Sequence, residues 1–284
     1  MSILQNKIDF AVVLRVDHAN PNGDPLNGNR PRTDYNGFGE ITDVCLKRKI
    51  RDRLQENGQA IFVQSDDRKN DAARSLRERA ENELGNKFGS AETAKLACEK
   101  WVDVRAFGQL FALSSKKKKK SDEKDSGGDT GISIPIRGPV TVQSAFSVQP
   151  VQGDITSIQI TKSVSGEGDG GKRGSDTMGM KHRVDHGIYV FFGAMNPQLA
   201  EKTLFNDDDA AAIKQVLPRM FENDASSARS EGSMEVLKVI WWKHNCKSGQ
   251  YSSAKVHRSL KVKPDGTFEL DRLEGLDPEQ IDGF

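Results

Sequence analysis

The sequence predicts a single α+β domain built around an antiparallel sheet and carrying long polar insertions. Three observations support this. Short apolar segments with strand-like alternation recur along the chain, and an amphipathic helix follows the first of them. A hydrophobic fraction of only 35% stands beside 29% charged residues, which leaves much of the chain polar. At 284 residues there is room for one elaborated domain.

Residues 8–17, IDFAVVLRVD, alternate, with Ile8, Phe10, Val12, Leu14 and Val16 on one face, as a half-buried strand requires. Residues 42–57 read as a helix. Thr42 suits the N-cap, Asp43 the first turn and Gly58 the C-terminal stop. Leu46, Ile50 and Leu54 form its apolar stripe, flanked by Lys49 and Arg53 on one side and by Lys47 and Arg51 on the other. Residues 71–85 and 91–100 are helical in pattern and mostly polar, and 101–113, WVDVRAFGQLFAL, are apolar. The stretch 114–131, SSKKKKKSDEKDSGGDTG, is predicted to be disordered. Residues 132–151 read as extended segments broken by Pro and Gly. Residues 154–164 alternate, the Gly-rich polar stretch 163–187 follows, and IYVFFGAM, 188–195, has the strongest buried-strand pattern. Residues 207–222 read as a helix that Pro218 kinks or ends, and 233–244 and 252–263 as further strands. There is no internal repeat.

No apolar run approaches the roughly 20 residues of a membrane span, so no membrane partner is expected. The N-terminus lacks a secretory pattern, and Cys45, Cys98 and Cys246 are scattered and odd in number. Both features suit a reducing cytoplasm, without a disulfide framework or zinc site. The net charge of +1 hides an asymmetry. Residues 264–284 hold seven acids and one Arg, and the remainder carries 41 basic against 34 acidic residues. A polyanion is therefore an admissible partner.

The most unusual segment is HANPNGDPLNGNRPRTD, residues 18–34. Its Asn-Pro, Asn-Gly and Asp-Pro dipeptides are turn formers that need no ligand. A calcium loop is excluded: with Gly23 at the invariant glycine, His18 and Asn29 fall where Asp and Glu are required. Residues 15–54 as a whole resemble the backbone subunit of the type I-C CRISPR surveillance complex, Cascade. The resemblance lies in NPNGDP, in NRPRTD, and in G-x-G-x-I-T-D-V-x-L-K-R-K-I-R-D. It continues in WVDVRAFGQLFA, GPVTVQSAFSVQPV and TMGMKHRVDHGIYVFFGAMNP, so that it runs from about residue 8 to 244. The lysine run 116–120 is particular to this chain.

The resemblance implies an RRM-like (ferredoxin-like) core whose large insertions form a palm, fingers and thumb. Residues 60–131 would be a helical finger insertion, 154–187 the thumb and 264–284 an acidic C-terminal tail. It implies a non-catalytic protein that binds guide crRNA, with neither cofactor nor metal. Copies would stack head to tail, with other Cascade subunits at the filament ends. The spacer would be displayed to double-stranded target DNA unwound to an R-loop, and base pairing would carry the specificity.

A turn-rich loop beside a basic helix can hold a phosphate backbone through amide donors and cations. Asn20, Asn22, Arg30 and Arg32 in the loop and Lys47, Lys49 and Arg51 on the helix are the RNA-binding candidates; which helix flank faces RNA stays open. Arg137, Lys181 and Arg183 are further phosphate candidates, and Met178 or Met180 a wedge against an unstacked base. The lysine run either holds DNA or is simply solvated.

Three other readings compete with this one. His182 and His186, with Asp185 between them, have helical metal spacing, but Gly187 and the following strand argue against a helix and no third ligand lies near. His18, His244 and His257 are isolated. A metal-dependent endoribonuclease, related to type III backbone subunits, would draw on Asp17, Asp24, Asp169 or Asp176. A free-standing RNA-binding protein would sit as one copy per RNA.

Overall fold

A computed structural model describes residues 2–113, 132–151, 153, 155–163 and 177–284, with 113, 158–163 and 177–179 as backbone alone. The chain opens with β1 (Ile8–Ala19), β2 (Gly23–Asp24), β3 (Arg30–Pro31), β4 (Phe38–Ile41) and α1 (Asp43–Glu56). Then come α2 (Leu76–Leu84), α3 (Thr93–Lys100), α4 (Val102–Phe107), β5 (Gly108–Leu113) and β6 (Ile132–Arg137). β7 (Val140–Val142), β8 (Ala145–Pro150), β9 (Ile155–Ser163) and the long β10 (Thr177–Met195) follow. The chain closes with α5 (Pro197–Thr203), α6 (Asp207–Val216), β11 (Met234–Lys243), α7 (Ser253–Arg258), β12 (Leu260–Val262), β13 (Phe268–Leu270) and β14 (Glu279–Asp282).

The fold is mixed helix and sheet around an antiparallel main sheet of order β14-β11-β1-β10-β8-β4, with β7 and β9 also paired to β10. β1 is central. It pairs with β10 from Ile8↔Met195 to Ala19↔Val184, and with β11 on its other edge. Its alternation buries Phe10, Val12, Leu14 and Val16 against Leu46, Ile50 and Leu54 of α1 and Ile213 of α6. The expectation of a half-buried strand is corrected here. Ala11 and Val13, on the second face, are also fully buried, beneath Val256, Leu260, Leu273 and Leu276. A Cβ on Gly193 would lie 2.2 Å from Phe10 Cζ, so the β1–β10 contact requires glycine there.

Local signals explain the helices. Thr42 caps α1 by accepting the Cys45 N–H, and Asn206 and Asp209 form a reciprocal capping box on α6. Arg105 grips Asp209 with two bonds, of 2.8 and 2.6 Å, and so ties α4 to α6. Residues 60–113 have a small core of their own, in which Phe62 meets Trp101 and Phe111. No helix among the described residues is long and apolar enough to cross a membrane.

Three segments differ from the sequence reading. Within 252–263, α7 stands where a strand was expected, because Ser252 caps a helical turn by accepting the Lys255 N–H. The polar residues 177–187 belong to β10, where backbone pairing with β9 replaces apolar burial as the ordering force. The acidic stretch 264–284 is built into the domain. β14 pairs with β11, Leu273 and Leu276 help close the second face, and Glu279 and Asp282 pair with Lys214 and Lys238. The lysine run lies outside the described residues.

Asp9 is fully buried on the second face of β1. Its Oδ2 lies 2.9 Å from His244 Nε2 and 3.2 Å from Lys7 Nζ. His244 Nδ1 accepts the Gln250 N–H, which leaves Nε2 as the donor to Asp9. Burial alone would raise the Asp9 pKa, but the His244 bond and the Lys7 charge hold the carboxyl well below the ordinary range. A depressed carboxylate stabilises the fold above its unfolded pKa and loses that contribution as pH falls. Asp9→Asn should cost about 3 kcal/mol at pH 7 in chemical denaturation. It should also show a shallower loss of stability than the parent below about pH 4.

Candidate nucleic-acid interface

The 18–34 loop and the turn after it form two successive tight hairpins. In the first, β2 pairs with β3, and the Asp24 carboxylate accepts the Leu26 N–H at 3.2 Å. Gly28 and Asn29 reverse the chain at φ 57° and 58°. In the second, Asp34 Oδ1 accepts the N–H groups of Asn36 and Phe38 at 2.8 and 2.9 Å, and the Asp34 N–H donates to the Phe38 carbonyl. The tips display Leu26 and Tyr35, 97% and 109% exposed.

The asparagines expected to meet RNA work chiefly inward. Asn22 Oδ1 accepts from the Thr42 N–H and hydroxyl, both at 2.9 Å, which fastens the loop to the start of α1. Asn20 is buried. Its Nδ2 donates to the Asn29 carbonyl at 2.7 Å and its N–H to the Ala228 carbonyl at 2.9 Å.

The helix cations need the same correction. Lys49 is 4% exposed and pairs with Asp224, which also takes Arg229 Nε at 3.1 Å. Burial pushes the Lys49 pKa down, and Asp224 opposes it. Arg51 bonds Asp103 at 3.1 Å and lies over the Phe107 ring, and Arg53 is buried beside Glu56. These side chains flank the apolar stripe closely enough to be enclosed by what packs beside it, the 221–229 turn and the 60–113 insertion. Lys49 and Arg53 are internal struts, and Arg51 is half-buried. Lys47, bonded to Asp43 at 2.9 Å, stays accessible.

Where β1 and β10 run out of shared register, a cavity of about 410 Å³ opens. His18, Asn20 and Asn29 line it from the loop, Met180, Lys181, His182 and Arg183 from β10, and the 226–230 turn closes it. His18 is exposed and held at φ 52°, a conformation uncommon outside glycine. Met180 is 56% exposed. Lys181 donates to the Ser227 carbonyl, and Arg183 bonds Asp185 at 3.0 Å. Burial and the nearby Arg30 charge hold the His182 imidazole below its ordinary pKa. Arg30 has no ion pair among the described residues, whereas Arg32 lies 3.3 Å from Asp24. Met178 falls at an irregularity in β10, and its side chain is outside the description.

Sequence reasoning missed the 226–230 turn, which has neither periodicity nor a charge run; its serines and Arg229 were the only cue. Lys47 and Arg137 lie elsewhere, in a second groove of about 510 Å³ with Phe107, Pro135 and Ile136. That groove abuts β7, whose Val142 pairs with Gly193, ten residues beyond Arg183 on β10. Ten residues of strand span roughly 33 Å.

Of the ribonuclease candidates, Asp17 contacts His186 Nδ1 at 2.6 Å and Arg15 Nε at 2.9 Å, and Asp24 caps its own hairpin. Asp169 and Asp176 are outside the described residues. His182 and His186 both lie on β10, not on a helix. Among the described residues, no group of three or more His, Cys, Asp or Glu side chains is placed to hold a metal ion.

Residues 6–278 match the family model described as CRISPR-associated protein Cas7. A protein of that description from Haloferax volcanii is 25% identical over 278 residues, covering 95% of this chain and 79% of its own. Two solved structures align at a TM-score of 0.44, a level that decides nothing further. One, described as a CRISPR RNA-guided surveillance complex, pre-nicking, is 14% identical over 83% of this chain and 78% of its own. The other, described as a CRISPR RNA-guided surveillance complex, is 16% identical over 92% and 77%.

The contrast between the helix lysines is measurable. Lys49→Ala, which leaves Asp224 partly uncompensated, should destabilise the fold by about 3 kcal/mol. Lys47→Ala, at a solvent-accessible pair, should cost under about 1 kcal/mol. Denaturant midpoints of the two variants check this.

Proposed function

The chain belongs to the Cas7 family of CRISPR-associated proteins, and from that premise we propose that it is the crRNA-binding backbone subunit of a type I-C Cascade complex. Copies stack head to tail along the guide in the cytoplasm, other subunits occupy the ends, and the displayed spacer pairs with target DNA. The protein binds without cutting. The motif order from NPNGDP to GAMNP supports the subtype. The strand order β11-β1-β10-β8, with α1 following β1 and α6 following β10, supports an RRM-like core.

The observation that carries this reading is the cavity at the end of β1 and β10. It gathers amides, hydroxyls, imidazoles and the cations Lys181 and Arg183, and among the described residues no carboxylate lines it. Such a surface suits a phosphate backbone, which carries no base code and can therefore hold any guide. Met180, exposed on the same wall, offers an apolar edge to a base. The β9–β10 hairpin is the thumb in this reading, and Arg30, Lys181 and Arg183 are the phosphate contacts. Asn20 and Asn22 shape the loop that presents them.

Labelled single-stranded RNA should give a ladder of shifted species and remain intact with Mg²⁺. Lys181→Ala with Arg183→Ala should lower affinity and flatten the slope of log K against log salt by roughly 1.4, for two phosphate contacts on a single strand. An unchanged slope sinks the assignment of the cavity. Mg²⁺-dependent shortening of the RNA would overturn binding without cleavage and turn attention to Asp17 and Asp24.

A further inference from the structure

We propose that Tyr35 of one copy docks into the Phe107–Ile136 groove of a second copy, a contact that rests on the multi-copy reading above and gives it a surface. Tyr35 stands fully exposed at the tip of a turn already ordered by the Asp34 carboxylate. An aromatic held this way loses little conformational freedom when it is buried, and it brings a large apolar area to the contact. The turn itself needs only Asp34 and Gly37 (φ 83°), so its geometry does not explain a tyrosine at the apex.

The same chain carries a receptor for it. The second groove, of about 510 Å³, is walled by Phe107, Pro135 and Ile136 and edged by Lys47 and Arg137. Arg137 is exposed and has no ion pair among the described residues. Asp34, beside the ring, has none either. Knob and groove therefore carry unpaired charges of opposite sign, beside a ring and an apolar wall of matching character. The Phe107 and Pro135 wall also distinguishes this groove from the cavity assigned to RNA, whose described lining holds neither Phe nor Pro.

The two surfaces sit apart on the fold. The turn leaves β4 at Phe38, opposite Pro150 at the end of β8. The groove abuts β7 at the far end of β10. A contact between two different patches of identical chains leaves a free patch on each end copy, and builds an open chain wherever its rotation does not close a ring. It repeats from copy to copy, as a chain laid along a polymer requires.

Cross-linking tests the contact directly. Tyr35→Cys and Ile136→Cys are made separately, each in a Cys246→Ser background to remove the exposed native thiol. The two chains are mixed on RNA long enough for several copies and treated with a short bis-maleimide. Covalent dimers should exceed those of either chain alone at least tenfold. In parallel, Tyr35→Ala should keep the first shifted RNA band at an affinity within twofold of the parent and lose the slower bands. A full ladder with Tyr35→Ala, or no excess of mixed dimer on bound RNA, overturns the contact and leaves RNA binding intact. If no RNA is shifted at all, the functional reading fails, and cross-linking of the free chains at high concentration still decides the contact.

Discussion

β1 is a strand with no free side. Both edges are paired and both faces are covered, so the elements packed around it supply either a cover or a partner for it. α1 and α6 close one face, and α7 with the last twenty residues closes the other. A carboxylate on such a strand is tolerable only if charges and donors meet it internally, and Asp9 is met at Oδ2 by His244 and Lys7 while Oδ1 lies 3.4 Å from His257 Nε2. The sheet centre is thereby sealed, and polar chemistry is displaced to the places where the pairing ends. One such place is the turn from Ala19 into the loop, where His18 already departs from strand geometry.

The loop at that end divides its labour. Asn20, Asn22, Asp24 and Asp34 satisfy backbone and side-chain groups within the protein, and through them a segment without α-helix or long strand holds one shape. Leu26, Arg30 and Tyr35 are what that shape presents to the outside. The Lys49–Asp224–Arg229 cluster extends the same rigidity sideways, because Arg229 also reaches the Asn20 carbonyl. A single network of charges and amides therefore sets the relative position of the loop, α1 and the 226–230 turn.

Local signals made part of this readable from sequence. The strand at 8–17, the Thr42 cap with its Leu46–Ile50–Leu54 stripe, and the strand at 188–195 each depend on neighbours in the chain, and each is found in place, though the first is buried on both faces. What could not be read depends on neighbours in space. Lys49 and Arg51 look solvent-facing on a helical projection; Lys49 becomes internal and Arg51 half-buried only because the 224–229 turn and Asp103 arrive beside them. The acids of 264–284 suggest a loose tail until their partners Lys214 and Lys238 are seen on the same surface. Likewise, the cavity joins segments more than 150 residues apart, with nothing in any one of them to announce the others.

β10 unites two mechanical regimes in one strand. From Gly187 to Met195 it is clamped between β1 and β8 or β7, whereas from Thr177 to Arg183 its ladder partner is β9 alone. A two-stranded ribbon is marginal by itself, so the outer half can open without disturbing the clamped half. Amide hydrogens along this one strand thus answer to two free energies, a small one for lifting the ribbon and the global one for unfolding.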